Sequence, residues 1–412
     1  MSNNQKAPRS TRDYVKLNRW VISNHLKTEK TKEKVAPDPN LITRFLHHKI
    51  FSWIYHYVKS RFVPRHKFMT YPKGGEDRGI YKMRAFSGSG PITVALASDW
   101  ATDTTESRQI GASIKNHCPD YSIHLGDTYF VGTPEEMERN FQPDSSSWPY
   151  GKVGSFALAG NHEMYSNGNP YFDTLLKWMG IYFPKRIIQK TSYICLENGY
   201  WRIIGLDTGF RSVSIPFLET LISKSDLRSE ELEWLTNDLK IDVVNKGLLF
   251  LTHHQPISAF SRGYPSAGRQ LGHITGPDRK ALWFWGHEHR FAIYGKNSFP
   301  GGITFYGRCI GHGGMPIELE KNPEKVFPED KNLVLYDNRL RKEIENTGLG
   351  YNGYALLRID EANLVIEYHD EQQHILSEKW FYNIKTQCIE GVDIEIHNGQ
   401  LEMIKNINQA IN

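Results

Sequence analysis

Five short, continuous apolar runs recur after residue 91: ITVALASD (92–99), YSIHLGD (121–127), VGSFALAGNHE (153–163), GLLFLTHH (247–254) and ALWFWGHEH (281–289). Between them lie stretches with helical spacing: SRQIGASIKNH, PEEMERNF, PYFDTLLKWMG and EELEWLTNDLKI. Apolar strands that alternate with helices predict buried, mostly parallel strands in a layered α/β fold. SYICLENGYWRIIGLD (192–207) predicts an antiparallel pair turning at Asn198-Gly199. GITFYGRCIG, GYALLRID, LVIEYHD and ILSEKWFYN, between 302 and 383, predict further strands, the last three as an antiparallel set. There is no internal repeat.

Before residue 91 the pattern is different. Residues 1–40 are polar and basic, and Pro37 and Pro39 stop any helix there. In 41–62, Leu41, Ile42, Phe45, Leu46, Ile50, Ile54, Tyr57 and Val58 recur at helical spacing, opposite a basic side. That predicts an amphipathic helix closed by Pro64. A Gly- and Ser-rich stretch, 70–90, leads to the body. The expected organisation is a basic, partly helical N-terminal segment (1–90), a main body (91–383) and a C-terminal tail (384–412) with no identified chemistry.

Composition narrows the function classes. Of 412 residues, 39% are hydrophobic and 23% charged, which excludes a wholly disordered or collagen-like chain. No uncharged apolar run approaches the ~20 residues that span a bilayer, and the N-terminus has no apolar core of a secretory signal. Cys118, Cys195, Cys309 and Cys388 lie far apart, so neither a disulfide framework nor a thiolate metal site is indicated. The expected location is cytoplasmic, and peripheral to a membrane if the basic segment binds one. The net charge of +4 divides into +13 over residues 1–90 and −9 over the rest. Such a division points to an anionic partner for the N-terminal part, or to a basic face packed on an acidic body.

The chemistry lies at the strand ends. The five apolar runs end in Asp99, Gly126-Asp127, Gly160-Asn161-His162-Glu163, His253-His254 and Gly286-His287-Glu288-His289. In open parallel sheets, ligands collect beyond the carboxyl ends of the strands. Carboxylate, amide and imidazole without thiolate suit Mn, Fe, Zn or Co. There are more ligands than one ion needs. A carboxylate bridging two ions about 3.5–4 Å apart would use them, and such pairs clamp phosphate esters for hydrolysis.

In that order, these five motifs resemble the calcineurin-like metallophosphoesterase superfamily over roughly residues 91–310. SDWATDT, HLGDTYF and AGNHEMYSNG also resemble its purple-acid-phosphatase-related branch. The resemblance implies a metallophosphoesterase-type β-sandwich flanked by helices, with two divalent or mixed-valence ions, Mn, Fe or Zn. It implies that Asp127 bridges them, that Asp99 and His289 hold the first, and that Asn161, His287 and one of His253 and His254 hold the second. His253 directly follows the apolar run. His254 stands two residues before Pro256, as the family histidine often does. His162 would face the substrate and assist the leaving oxygen, and Glu163 would orient it. Water or hydroxide held between the ions would be the nucleophile, with no covalent phospho-enzyme.

Two positions depart from the family. Its common form has a histidine two residues after the first aspartate, where this chain has Ala101. The purple branch has a tyrosine three residues after the bridging aspartate, where this chain has Phe130 and carries Tyr129 one step early. The first ion is therefore expected to lack a ligand, with Asp103, Tyr129 or water in its place, and no tyrosinate–iron colour is expected. Arg308 and His312 are candidates for a phosphate oxygen, with a structural role as the alternative. Asp207 reads as a loop group, and Trp283, Phe284 and Trp285 as strand core.

The expected function is hydrolysis of phosphate mono- or diesters by a dinuclear centre. The competing readings are a nuclease or cyclic-nucleotide phosphodiesterase that grips a polyanion through residues 1–70, a lipid-phosphate hydrolase docked on an anionic membrane surface through the same residues, and a non-catalytic phosphate-binding scaffold. Retention of Asp99, Asp127, Asn161 and His162 argues against the last.

Overall fold

The computed structural model describes residues 64–212, 225–276, 279–319, 331–344 and 347–412. The stripe expected as a helix at 41–62 lies outside the described residues.

Two nine-stranded sheets face one another. In the first, Ile92–Ala97, Tyr121–His124 and Gly154–Ala157 run parallel, in that order. Gly353–Asp360 pairs antiparallel with Ile92–Ala97 and begins a meander through Asn363–Asp370, His374–Asn383 and Cys388–Ile396. The short strands Gly180–Ile181 and Ile187–Ile188 form the opposite edge. In the second sheet, Trp201–Gly205, Gly247–Thr252, Lys280–Trp285 and Thr304–Ile310 are consecutive parallel neighbours. Ile194–Glu197 and Trp201–Gly205 form the antiparallel pair expected around Asn198-Gly199.

The central core is made by both sheets. Leu96, Ile123 and Phe156 from the first meet Leu249, Leu282 and Phe284 from the second in one buried cluster. The outer face of the first sheet is covered by the helices Thr105–Asn116 and Pro134–Phe141, through Ile110, Ile114, Met137 and Phe141. The other outer face packs on Trp234, Leu235 and Leu271. The parallel strands are thus buried on both faces, which is why they read as unbroken apolar runs. Trp283, Phe284 and Trp285 are fully buried, as expected for strand core. Both outer helices start from threonine capping boxes, at Thr104 and Thr133, which satisfy their first free amides.

The boundaries at 90 and 384 do not separate structural units. Ile80–Lys82 adds to the second sheet beside Ile194–Glu197. Cys388–Ile396 completes the meander, and Glu402–Met403 joins the second sheet beside Leu333–Tyr336. The polar, alternating pattern of an edge strand hid these segments from the apolar-run criterion. Among the described residues no helix is long and apolar enough to cross a membrane.

Candidate metal centre

The carboxyl ends of five parallel strands meet at one pole of the sandwich. Asp99 and Asp127 follow Ile92–Ala97 and Tyr121–His124, and Asn161 opens the short helix Asn161–Met164 beyond Gly154–Ala157. His253 and His254 follow Gly247–Thr252, and His287 and His289 follow Lys280–Trp285. The first three come from one sheet and the four histidines from the other.

The backbone is specialised where these groups converge. Asp99, Asp127 and His287 have φ of 55°, 73° and 65°. Non-glycine residues seldom adopt this left-handed region, which costs ~1–3 kcal/mol each and concentrates at functional sites. Two glycines allow the close approach. A Cβ on Gly160 would collide with Asp127 Oδ1, and one on Gly286 with Ser98 Oγ and Asp99 Oδ2.

Asp127 Oδ2 lies 3.2 Å from the Tyr129 hydroxyl and 3.2 Å from His253 Nε2. On the Tyr129 side, that hydroxyl is 2.8 Å from Asp99 Oδ1 and 2.8 Å from His289 Nε2. On the His253 side, Nε2 is 3.2 Å from Asn161 Oδ1. His253 donates from Nδ1 to the Leu125 carbonyl at 3.0 Å, which leaves Nε2 as the ring atom directed into the centre. Two donor groups each come within 4.8 Å: Asp99, Asp127 and His253, and His253, His254 and His287. His253 and His254 fall together in the second of these groups. Both line the centre, His254 anchored at its amide by the Thr208 hydroxyl at 3.0 Å.

The donor set fits cations. Asp99 and Asp127 are buried, and among the described residues neither pairs with a lysine or arginine. Burial would raise the Asp127 carboxyl, but the His253 and His162 charges outweigh it and hold it well below the usual range. Burial would lower His253, yet the Asp127 and Asp99 carboxylates push it up to about 9. His287 is driven down to about 3 by burial and then by His253. A buried pair of carboxylates ringed by imidazoles is stable only with positive charge among them.

His162 and His289 keep side-chain exposures of 19% and 20%, so they lie at the open side. The His162 ring is held at Nδ1 by the Phe130 carbonyl, at 2.6 Å. Glu163 makes a different connection from the one expected. Its Oε2 accepts from the amides of Gly160, at 2.7 Å, and Asp127, at 3.1 Å. It fixes the backbone of Asp127, and the ring of His162 is held by the Phe130 carbonyl instead. Burial, and then the Asp127 charge, push Glu163 up to about 7.

Arg308 and His312 are not at the centre. Arg308 is fully buried and all five of its donors are used: two on Glu378 and three on the carbonyls of Tyr294, Gly307 and Ala410. His312 is buried against Phe291 and Gly353, and its charged neighbours are Asp337, Asp370 and Arg339. Asp103 is engaged by Arg108 and Arg139, on the helices that cover the sheet. Asp207 accepts from the amides of Gly209 and Phe210, a turn-holding role. The motifs did not single out Ser98, which donates to Asp99 Oδ2 at 2.7 Å, nor Thr208. No periodicity marks a lone hydroxyl of this kind.

Carboxylates and imidazoles gathered at the strand ends of a two-sheet sandwich could hold divalent cations. Residues 92–291 match the model of the calcineurin-like phosphoesterases. No curated protein sequence matches it. Among solved structures it is similar to PhoD, at 11% identity over 78% of this chain and 75% of that one, with a TM-score of 0.47. It is also similar to GAP50, the anchor in the inner membrane complex of Plasmodium, at 13% identity over 77% and 91%, with a TM-score of 0.44. A third likeness is to Vps29 of Entamoeba histolytica, at 8% identity over 74% and 100%, with a TM-score of 0.26.

Proposed function

We propose that this chain hydrolyses phosphate mono- or diesters at a dinuclear centre. The observation that carries the reading is Asp127 Oδ2, 3.2 Å from the Tyr129 hydroxyl, which itself touches Asp99 and His289, and 3.2 Å from His253 Nε2, which itself touches Asn161. Asp99, Tyr129 and His289 would hold one ion. Asn161, His253, His254 and His287 would hold the other, and Asp127 would be shared. Mn, Fe and Zn suit this mixture of oxygen and nitrogen donors. Such ions supply Lewis acidity and a bound water of lowered pKa.

The protein's own residues do the rest. Leu125, Ser98 and Thr208 fix the angles of His253, Asp99 and His254, so the donors need no rearrangement. Glu163 holds the Asp127 backbone. The bond from His162 Nδ1 to the Phe130 carbonyl leaves Nε2 as the atom that can face substrate at the open side. In its protonated form, Nε2 gives a proton to the departing oxygen.

The test is metal analysis of the full chain, together with a screen of aryl and alkyl mono- and diesters with added Mn, Fe, Zn or Mg. Near-stoichiometric metal for two sites and hydrolysis of at least one ester class are expected. Metal no higher than background after Mn or Fe loading, with no hydrolysis, would overturn the proposal.

A further inference from the structure

The pole of the first sheet opposite the metal centre carries an exposed aromatic pair. Phe86, in the loop before Ile92–Ala97, and Phe183, in the turn between Gly180–Ile181 and Ile187–Ile188, pack edge to face at 5.3 Å. They remain 47% and 43% exposed, and Ile188 on the same hairpin is 44% exposed. Hydrophobes this large seldom gather in the open without a partner.

Register places the patch. Ile181 pairs with Gly154, the first residue of Gly154–Ala157, so the turn that follows lies at the amino end of that strand. Asn161 lies past its carboxyl end. The loop with Phe86 likewise enters the strand whose far end leads to Asp99. At ~3.3 Å per residue, the six residues of Ile92–Ala97 put roughly 20 Å between the two poles.

The patch is built, not loose. The amide of Phe86 donates to Asp120 Oδ1 at 2.7 Å, and that of Arg84 to the Tyr121 hydroxyl at 3.1 Å. Cations surround it. Lys152 lies over the Phe86 ring at 5.8 Å and Arg186 over Tyr182 at 4.8 Å, with Arg84 and Lys185 exposed beside them. Residues 82–91, 150–153 and 180–190 contain no Asp or Glu. The nearest acids are committed or displaced. Asp120 holds the amides of Phe86 and Thr93, Asp77 pairs with Lys190, and Asp360 and Glu361 turn at the same pole, across Ile92–Ala97 from Asp120.

We propose that this pole docks on an anionic phospholipid surface, with Phe86, Phe183 and Ile188 entering the headgroup region and Arg84, Lys152, Lys185 and Arg186 facing lipid phosphates. Apolar tips set in a ring of cations match an interface that is greasy within and negative at its edge. The chain's own residues 1–63 are a poor occupant, since their 13 Lys and Arg against 4 Asp and Glu would meet a patch of the same sign. Docked in this way, the metal centre faces away from the bilayer, toward soluble substrate.

Co-sedimentation of the full chain with phosphatidylcholine vesicles, with and without phosphatidylserine, tests this. Wild type should partition onto the anionic vesicles and not the neutral ones. Phe86→Ala with Phe183→Ala should weaken partitioning about tenfold. Lys152→Ala, Lys185→Ala and Arg186→Ala should each weaken it about fivefold, the equivalent of ~1 kcal/mol per cation near an anionic surface. Melting temperature and hydrolysis of a soluble ester should stay at wild-type values, which shows that the fold is intact. Absence of vesicle binding in wild type, or wild-type partitioning by all these variants, overturns the proposal. So does a single-stranded oligonucleotide that binds through the same residues while vesicles do not.

Discussion

The Tyr129 hydroxyl donates to Asp99 Oδ1 at 2.8 Å, although Tyr129 stands one residue ahead of the position where the purple branch carries its tyrosine. The hydroxyl thus reaches the group that would hold the proposed first ion, so whether it replaces the ligand missing at Phe130, and whether a tyrosinate–iron colour follows, can be tested.

Tyr129→Phe should therefore weaken one of the two ions by ~10–100-fold, with little effect on the other. Timed chelation followed by elemental analysis would show it. If the weakened ion is ferric, wild type should have a visible absorption band that the variant lacks. Equal release of both ions from wild type and variant would remove Tyr129 from the ligand set.

Asp127→Ala should lose both ions, and Asp99→Ala mainly one, because Asp127 Oδ2 lies 3.2 Å from both the Tyr129 hydroxyl and His253 Nε2. Metal-to-protein ratios after gel filtration distinguish the two outcomes. Retention of one full equivalent by Asp127→Ala would contradict a shared carboxylate.

His162→Ala should lower kcat by ~10²–10⁴-fold on esters with poor leaving groups, less on nitrophenyl esters, and keep its metal. Burial lowers the His162 pKa below its ordinary value. Its protonated form is therefore present at acid pH and lost as pH rises through a pKa under about 6.5. For poor leaving groups, kcat should fall on that limb, and the fall should vanish in His162→Ala. Identical pH profiles for good and poor leaving groups would count against a proton from His162.

Arg308→Met should destabilise the fold by ~3–5 kcal/mol, because it strands the buried Glu378 carboxylate. Adding Glu378→Leu should recover much of the loss. Thermal unfolding reads both, and the activity per folded molecule should be unchanged. Loss of substrate affinity without loss of stability would restore the phosphate role once expected of Arg308.

The parallel strands and the ligand-type residues at their ends were readable because buried parallel strands are unbroken apolar runs, and a polar residue at the end of such a run has one direction to go. The motifs named Asp99, Asp127, Asn161 and the four histidines for that reason. What could not be read depends on neighbours distant in sequence. Arg308 looks the same in sequence whether it faces a phosphate or Glu378, 70 residues later. Glu163 follows His162 directly, yet the short helix turns it toward the Asp127 amide. Tyr129 misses its family position by one residue, and only the path of the chain shows that its hydroxyl still reaches Asp99. Cys388–Ile396 and Glu402–Met403 are mostly exposed edge strands, so they lacked the unbroken apolar signature.

Because Asp99, Asp127 and Asn161 come from one sheet and the four histidines from the other, metal bound at this pole would rivet the two layers together. Parting them there would mean giving up the ions, so the grip between the halves of the molecule is set in part by the surrounding metal concentration. Binding to the native state alone adds RT ln(1 + [L]/Kd) to stability, about 2.7 kcal/mol at a hundredfold excess over Kd. The same atoms that would prepare a phosphate ester for attack would then act as a tunable cross-link, and scarcity of metal would slacken the fold as it silences the enzyme.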